Sequence, residues 1–208
     1  MPAPTAPLST PRETGFRIAN WDTPLRVNQN RTAGRFNEAG SPATQYFCLH
    51  PLGPWAEYLR ANELREPVDL ADYRLRLWAV RLDLAGVTEI CFANASDFGL
   101  APEDLISDDH GPCRQLAERL RYDPALPDTI IVPNAALPGT RNVVIFGERT
   151  AIPFSLRPRD AWDIPACTLA ERSRPPKGIE SVVRFIGDPH PEFKAWTAGL
   201  SYQLAEPG

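Results

Sequence analysis

Residues 34–47 of this chain have the sequence GRFNEAGSPATQYF. The first part is rich in turn-forming residues and carries Arg35, and an apolar strand that includes Tyr46 follows it. A predicted helix carrying Glu57 comes next. A guanidinium, a flat aromatic ring and a carboxylate in this order can surround one cavity, in which the guanidinium would bind an anion. We therefore expect the functional centre of the protein between residues 34 and 57.

The composition is that of an ordinary globular protein of 208 residues with a formal net charge of −4. This charge gives no overall attraction to nucleic acids or anionic membranes. No apolar run approaches the roughly 20 residues of a membrane span, and the N-terminus lacks the basic and apolar regions of a signal peptide. We therefore expect a cytoplasmic protein that contacts neither nucleic acid nor membrane directly.

The cysteines predict no metal site. None of the four forms a CxxC pair, and no histidine lies near one at a metal-ligand spacing. Buried, reduced thiols are the interpretation that this pattern favours. The four residues are Cys48, Cys91, Cys113 and Cys167.

Apolar alternation and β-branched runs predict several short strands. These strands are expected at residues 15–19, 44–49, 73–84, 129–132, 142–146 and 181–186. The turn at residues 137–140 predicts that the strands on either side of it form a hairpin.

Helices are expected from Gly53-Pro54 onward, over residues 112–121, and as a last turn near Phe193 and Trp196. Pro54 suits the first helical position, and Glu57 is expected in the first turn, where the helix dipole favours a carboxylate. Residues 20–41 and 153–178 are predicted to be irregular. The histidines are expected in loops, and the acidic residues between 85 and 128 are expected to form a solvated segment, with a lid or a partner surface as the alternative.

Short strands and few helices without regular βαβ alternation indicate the α+β class. We expect a Pro/Ala/Thr-rich, disordered lead-in at residues 1–14, a catalytic domain at residues 15–150, and a C-terminal extension at residues 151–208 that packs on the same domain.

The block Gly34-Arg35-Phe36-Asn37, with Gly40, Tyr46 and Glu57 after it, resembles the first motif of the RES domain family. Phe36 stands where the family usually has Trp. The segment Ile130-Ile131-Val132-Pro133-Asn134, followed by residues 142–146, resembles the last motif, and Arg17 matches an arginine that is common in the first strand of the family.

The resemblance implies an ADP-ribosyltransferase-like fold, with a split central β-sheet and flanking helices. It implies NAD as a substrate, with no bound cofactor, and cleavage of the nicotinamide–ribose bond by phosphorolysis or hydrolysis. It further implies a toxin of a toxin–antitoxin pair, with an antitoxin protein as partner.

The residue chemistry independently suits such a reaction. Cleavage leaves positive charge on the ribose, and the carboxylate of Glu57 can stabilise it as carboxylates do in glycoside hydrolysis. Arg35, with Arg17, can bind the pyrophosphate. Tyr46 offers a flat face to the nicotinamide riboside. We therefore predict Glu57, Arg35 and Asn134 as catalytic residues, and Arg17, Arg35 and Tyr46 as substrate-binding residues.

Two departures from the family pattern keep other functions open. Asn134 stands where the family usually has Ser; it retains a hydrogen-bond acceptor and gains amide donors. Ile18 stands where an aromatic residue is frequent. A non-catalytic NAD-binding module therefore remains an alternative. An ADP-ribosyltransferase that modifies a protein is another, because the two reactions share the same electrophile.

Overall fold

The computed structural model describes residues 12–19, 32–84, 87–123, 125–146 and 167–208. Within these ranges seven strands form one mixed sheet. The strands are β1 Arg12–Ile18, β2 Thr44–Cys48, β3 Leu75–Asp83, β4 Thr88–Glu89, β5 Thr129–Pro133, β6 Arg141–Phe146 and β7 Cys167–Ser173. Their order across the sheet is β4-β5-β6-β2-β1-β3-β7, and the β4–β5 pair is parallel while the other pairs are antiparallel.

The sheet narrows sharply between β1 and β2. These strands pair only at Phe16 and Cys48, whereas β1 pairs with β3 along its whole length and β2 does so with β6. The sheet is therefore split into a half made of β4, β5, β6 and β2 and a half made of β1, β3 and β7. The predicted α+β class with a split central sheet is confirmed.

Short helices flank the sheet. The described helices are α1 Gly53–Ala61, α2 Pro67–Leu70, α3 Gly111–Tyr122 and α4 Pro191–Thr197, and single 3₁₀ turns occur at Ala95–Phe98, Pro102–Leu105 and Ile179–Ser181. No helix in the described part of the chain is long and apolar enough to cross a membrane.

The buried apolar side chains of the described residues form three clusters. Side chains that alternate along β5 and β6 point into two of them. Ile130, Val132 and Val144 pack with α3 in one cluster, whereas Ile131 and Val143 pack in a second cluster on the opposite face. Successive side chains of a strand point to opposite faces, so this is the arrangement that the apolar runs dictate.

A third core fixes α1. Trp55 and Leu59 are almost completely buried, and they belong to one cluster with Ile179, Val183 and Phe185 from the C-terminal region. The side of α1 that faces away from this cluster is therefore free to carry polar residues.

The structure corrects two sequence-based predictions in the C-terminal region. No strand covers residues 181–186; the chain makes a 3₁₀ turn at Ile179–Ser181 and then a loop in which Gly187 has a positive φ of 83°. That loop turns its apolar residues toward α1 instead of pairing with a strand. Residues 167–173, which were predicted to be irregular, form β7 at the sheet edge. An edge strand needs apolar residues on only one face, and Cys167 and Leu169 suffice.

Other boundaries shift without changing the architecture. Strand β1 already begins at Arg12, within the predicted lead-in, and residues 1–11 lie outside the described residues. The predicted loop at residues 20–41 and the irregular segment at 153–178 are also only partly described. Helix α1 begins at Gly53 as expected, but Glu57 is its fifth residue and therefore lies in the second turn and not in the first.

Candidate active site

A cavity of about 400 Å³ lies beside strands β2, β5 and β6 and the side of α1 that carries Glu57. Three of the predicted site residues, Arg35, Tyr46 and Glu57, line this one cavity. Its floor is apolar, with Phe36, Val132 and Val144 among the lining residues. The structure therefore places the guanidinium and the carboxylate in a common space, although they are 22 positions apart in the chain.

The loop that carries Arg35 is held by the hydroxyl of Tyr46. This hydroxyl accepts a hydrogen bond from the backbone N–H of Phe36 at 3.0 Å and donates one to Oδ1 of Asn37 at 2.8 Å. A Cβ added at Gly34 would lie only 2.6 Å from Oδ1 of Asn37, so the close approach requires glycine. Tyr46 thus fixes the shape of the loop as well as lining the cavity.

Arg35 is a half-buried cation that has no acidic partner among the described residues. Its Nη1 donates to the carbonyl of Asp104 at 3.2 Å, and no carboxylate of a described residue lies within ion-pairing distance of it. Burial lowers the pKa of Arg35, although an arginine side chain stays charged at any physiological pH. A charged guanidinium without an acidic partner at the wall of a cavity is suited to bind an anionic ligand.

Glu57 reaches the same cavity from α1. Gly53 lets this helix begin directly against β2, because a Cβ there would overlap the side chain of Cys48. Burial raises the pKa of Glu57, while hydrogen bonds from Asn142 and Cys48 and the charges of Arg35 and Arg60 act in the opposite direction. The carboxyl group therefore titrates above its ordinary value of 4.5.

Asn134 does not line this cavity. It is completely buried behind Asn142, which lies on the wall and donates to Oε1 of Glu57 at 2.7 Å. Asn134 therefore reaches Glu57 only through a second amide.

Arg17 lies in a second, smaller cavity of about 290 Å³, at the split between β1 and β2. Tyr46 and Glu57 line this cavity too. The guanidinium of Arg17 lies over the ring of Phe47, 5.2 Å from its centroid, which is within the range of a cation–π contact. The two cavities thus share Glu57, and Arg17 lines only the smaller one.

Sequence reasoning missed a cluster of charges at the rim of the larger cavity. Asp108 accepts hydrogen bonds from Arg60 and from Arg184, and from the backbone N–H of Gly187 at 2.9 Å. Asp108, in the segment expected to be solvated, is exposed but also joined to these two buried arginines. A signal was available for Arg60, because it lies three positions after Glu57 and so falls on the same helical face. Nothing local pointed to Arg184, which lies 76 positions after Asp108.

His110 was also missed as a cavity residue. It immediately precedes α3 and lines the larger cavity beside Arg60 and Asp108. Burial and the positive charges of Arg35, Arg114 and Arg60 lower its pKa to about 4. His110 is therefore neutral at neutral pH. Among the described residues, no group of three His, Cys, Asp or Glu side chains is arranged to hold a metal ion.

The RES domain family matches residues 15–166, which is most of the chain and includes the greater part of β1 and all of β2 to β6. The chain belongs to the RES domain family. The resemblance carried by residues 34–57 and 130–146 is thereby confirmed.

Two similar proteins come from Mycobacterium tuberculosis. A probable NAD(+) phosphorylase is 29% identical to this chain over 144 residues, which make up 68% of each protein. The crystal structure of the MbcT-MbcA toxin-antitoxin complex contains a chain of the same fold, with a TM-score of 0.56 and 19% identity. That similarity covers 78% of this RES protein and 84% of the other chain.

Proposed function

We propose that this RES protein degrades NAD by cleaving the bond between nicotinamide and ribose, and that it is the toxin of a toxin–antitoxin pair. The observation that carries the proposal is that Arg35 and Glu57 face one cavity of about 400 Å³, a size typical of small-molecule sites. Similarity to a probable NAD(+) phosphorylase supports NAD as the substrate. The fold shared with a toxin bound to its antitoxin is the reason for including a protein partner.

The reaction needs two opposite electrostatic features in one place. As the bond to nicotinamide breaks, its electron pair leaves with the nicotinamide nitrogen and positive charge develops on the ribose. The carboxylate of Glu57 stabilises that charge. The guanidinium of Arg35 binds the pyrophosphate, whose oxygens replace the acidic partner that Arg35 lacks among the described residues.

The other predicted residues take supporting roles in this proposal. The ring of Tyr46 contacts the nicotinamide riboside, while its hydroxyl keeps the Arg35 loop in place. Arg17 contributes a second positive charge from the smaller cavity. Asn134 acts indirectly, through Asn142.

We propose inorganic phosphate as the acceptor, which the name of the M. tuberculosis relative supports. A phosphate oxygen then forms a bond to the ribose carbon that nicotinamide leaves, and the products are nicotinamide and ADP-ribose phosphorylated at that carbon. Water in place of phosphate would give ADP-ribose, and a protein side chain would give an ADP-ribosylated protein.

The test is to incubate purified protein with NAD, with and without phosphate, and to separate the products by chromatography. Nicotinamide release that depends on phosphate is expected. Glu57→Gln should reduce kcat by about 100- to 1000-fold, the usual cost of losing one preorganised electrostatic partner of a transition state. Glu103→Gln is the matched control, since Glu103 is exposed and lies outside the cavity.

Three outcomes would change the proposal. Equal turnover by Glu57→Gln would remove this carboxylate from the mechanism. Transfer of label from NAD to a macromolecule would identify an ADP-ribosyltransferase. Binding of NAD in calorimetry, without turnover over a long incubation, would identify a non-catalytic binding module.

A further inference from the structure

Two asparagines form a directed chain of hydrogen bonds that ends at Glu57. Oδ1 of Asn134 accepts from the backbone N–H groups of Ala136 and Leu137, at 2.8 and 3.0 Å. Nδ2 of Asn134 donates to Oδ1 of Asn142 at 3.0 Å, and Nδ2 of Asn142 donates to Oε1 of Glu57 at 2.7 Å. Each amide therefore receives on its oxygen and donates from its nitrogen, in one direction.

The direction of this chain is set by the backbone. Two N–H groups can only donate, so the oxygen of Asn134 must face them and its NH₂ group must face Asn142. The same logic then orients Asn142: a flipped amide would bring two NH₂ groups together, and two oxygens together at Glu57. Both errors leave buried polar groups without partners, which costs more than a single hydrogen bond gains.

The two asparagines are also held rigidly. Asn134 is 0% exposed and Asn142 is 8% exposed. Asn142 lies in the middle of the sheet, where it pairs with Cys48 of β2 and Val132 of β5. Nδ1 of His190 accepts a hydrogen bond from the backbone N–H of Phe193, so the ring carries its proton on Nε2. Nε2 donates to the backbone carbonyl of Asn134 at 3.3 Å.

We propose that Asn142 is the positioning residue of Glu57, and that Asn134 fixes the direction in which Asn142 donates. As far as catalysis is concerned, this rests on the proposed cleavage of NAD. A carboxylate at the end of a rotatable side chain can stabilise a developing charge only when it is held in one orientation. The amide of Asn142 supplies that constraint without adding a charge of its own.

Several other groups also act on Glu57. The thiol of Cys48 approaches it from β2, Tyr46 shares both cavities with it, and the guanidinium groups of Arg35 and Arg60 lie on the walls of the larger cavity. Arg17 faces it in the smaller cavity. Among these groups Asn142 makes the short contact of 2.7 Å to the carboxylate. Removing its donor destabilises the ionised form, so the pKa of Glu57 rises further.

The experiment compares Asn142→Ala and Asn142→Asp with the wild type over a range of pH. Loss of a hydrogen bond to a charged group predicts a decrease in kcat of about 10- to 100-fold, with a smaller change in KM for NAD. The acidic limb of the kcat profile should move to higher pH in Asn142→Ala. It should move further in Asn142→Asp, because two adjacent carboxyl groups resist losing both protons. A purely structural role would lower kcat without moving this limb.

A second measurement does not depend on turnover. Proteins labelled with ¹³C at the glutamate carboxyl carbon are titrated by NMR without NAD, and the Glu57 signal is identified by its loss in Glu57→Gln. The midpoint should be higher in Asn142→Ala than in the wild type and unchanged in Asn62→Ala, an exposed asparagine just after α1. If Asn142→Ala does not fold, Asn142→Leu, which has nearly the same shape and no hydrogen-bond donor, provides the same comparison.

The two readouts separate the possible failures. A wild-type protein that releases no nicotinamide refutes the proposed function, while the NMR titration still decides whether Asn142 acts on Glu57. An active wild type whose Glu57 midpoint is the same in the Asn142 variants refutes the positioning role and leaves the proposed function intact.

Discussion

Replacement of Asp108 by asparagine is expected to destabilise the protein, because one carboxylate holds together three separate parts of the chain. Arg60 belongs to α1, Asp108 precedes α3, and Arg184 and Gly187 belong to the C-terminal region. Asp108→Asn preserves the shape of the side chain. It removes the negative charge and turns an acceptor into an NH₂ group that faces a guanidinium.

The size of the effect follows from how far these charges are removed from water. The side chains of Arg60 and Arg184 are 10% and 8% exposed, whereas that of Asp108 is 31% exposed. Removing one partner of a fully buried ion pair costs about 3–5 kcal/mol. Solvent screening at Asp108 lowers this figure, so we expect about 2–3 kcal/mol. For a chain of this length, each kcal/mol lowers Tm by about 2–4 °C, which gives a total decrease of about 4–12 °C.

The assay is thermal unfolding followed by circular dichroism, with Asp72→Asn as the control because Asp72 is exposed and does not line the cavity. The difference between wild type and Asp108→Asn should also depend on pH. Burial alone would raise the pKa of Asp108, but the N–H of Gly187 and the charges of Arg184 and Arg60 hold it below its ordinary value of 3.8. The stability gained from the carboxylate is thus present above pH 3.8 and is lost as the pH falls through the lowered pKa.

A decrease in Tm at neutral pH no larger than that of Asp72→Asn would refute this reasoning. It would mean that Arg60 and Arg184 find equivalent partners in water, and that the cluster does not fix the C-terminal region to α1.

Three further predictions follow from the same site. The acidic limb of the kcat profile of the wild type should have its midpoint above pH 4.5, because burial raises the pKa of Glu57; a midpoint at or below that value in initial-rate measurements would contradict this. Glu57→Gln should be more stable than the wild type to urea at neutral pH, because a carboxyl group whose pKa is raised in the folded state makes the protein less stable as the pH rises through that pKa. The free energies of unfolding of the two proteins should become equal at low pH. A difference in this free energy that is independent of pH would exclude this cause. Gly34→Ala should reduce kcat/KM for NAD by about 10- to 100-fold, because the new methyl group would displace Asn37 from the hydroxyl of Tyr46; near-normal kinetics would show that the loop does not need this approach.

The local elements could largely be predicted because their signals are local. Gly53-Pro54 marks the start of α1, and the β-branched runs around the turn at residues 137–140 form the expected antiparallel pair β5–β6. The Arg35 loop, the Tyr46 strand and the Glu57 helix follow one another closely, so their order already suggested a shared cavity. The geometry of the cavity agrees with that expectation.

The contact between Asn142 and Glu57 could not be predicted, because it depends on a long-range register. Asn142 meets Glu57 only because β6 pairs with β2 so that Asn142 lies opposite Cys48, 94 positions earlier. A shift by one residue would have pointed Val143 at the cavity instead. The edge strand β7 was missed for a related reason: its sequence has few apolar residues, and only its pairing with β3 makes it a strand.

The C-terminal region supports helix α1, which carries Glu57, from outside the matched RES domain. Helix α1 carries Glu57 and Arg60 on its cavity side, where burial opposes their charged forms. The opposite side must therefore stabilise the helix, and Trp55 and Leu59 do so by packing against Ile179 and Phe185. Residues 179–185 follow residue 166, at which the family match ends. In this chain the position of the helix that carries Glu57 thus depends on apolar packing by residues beyond the matched domain.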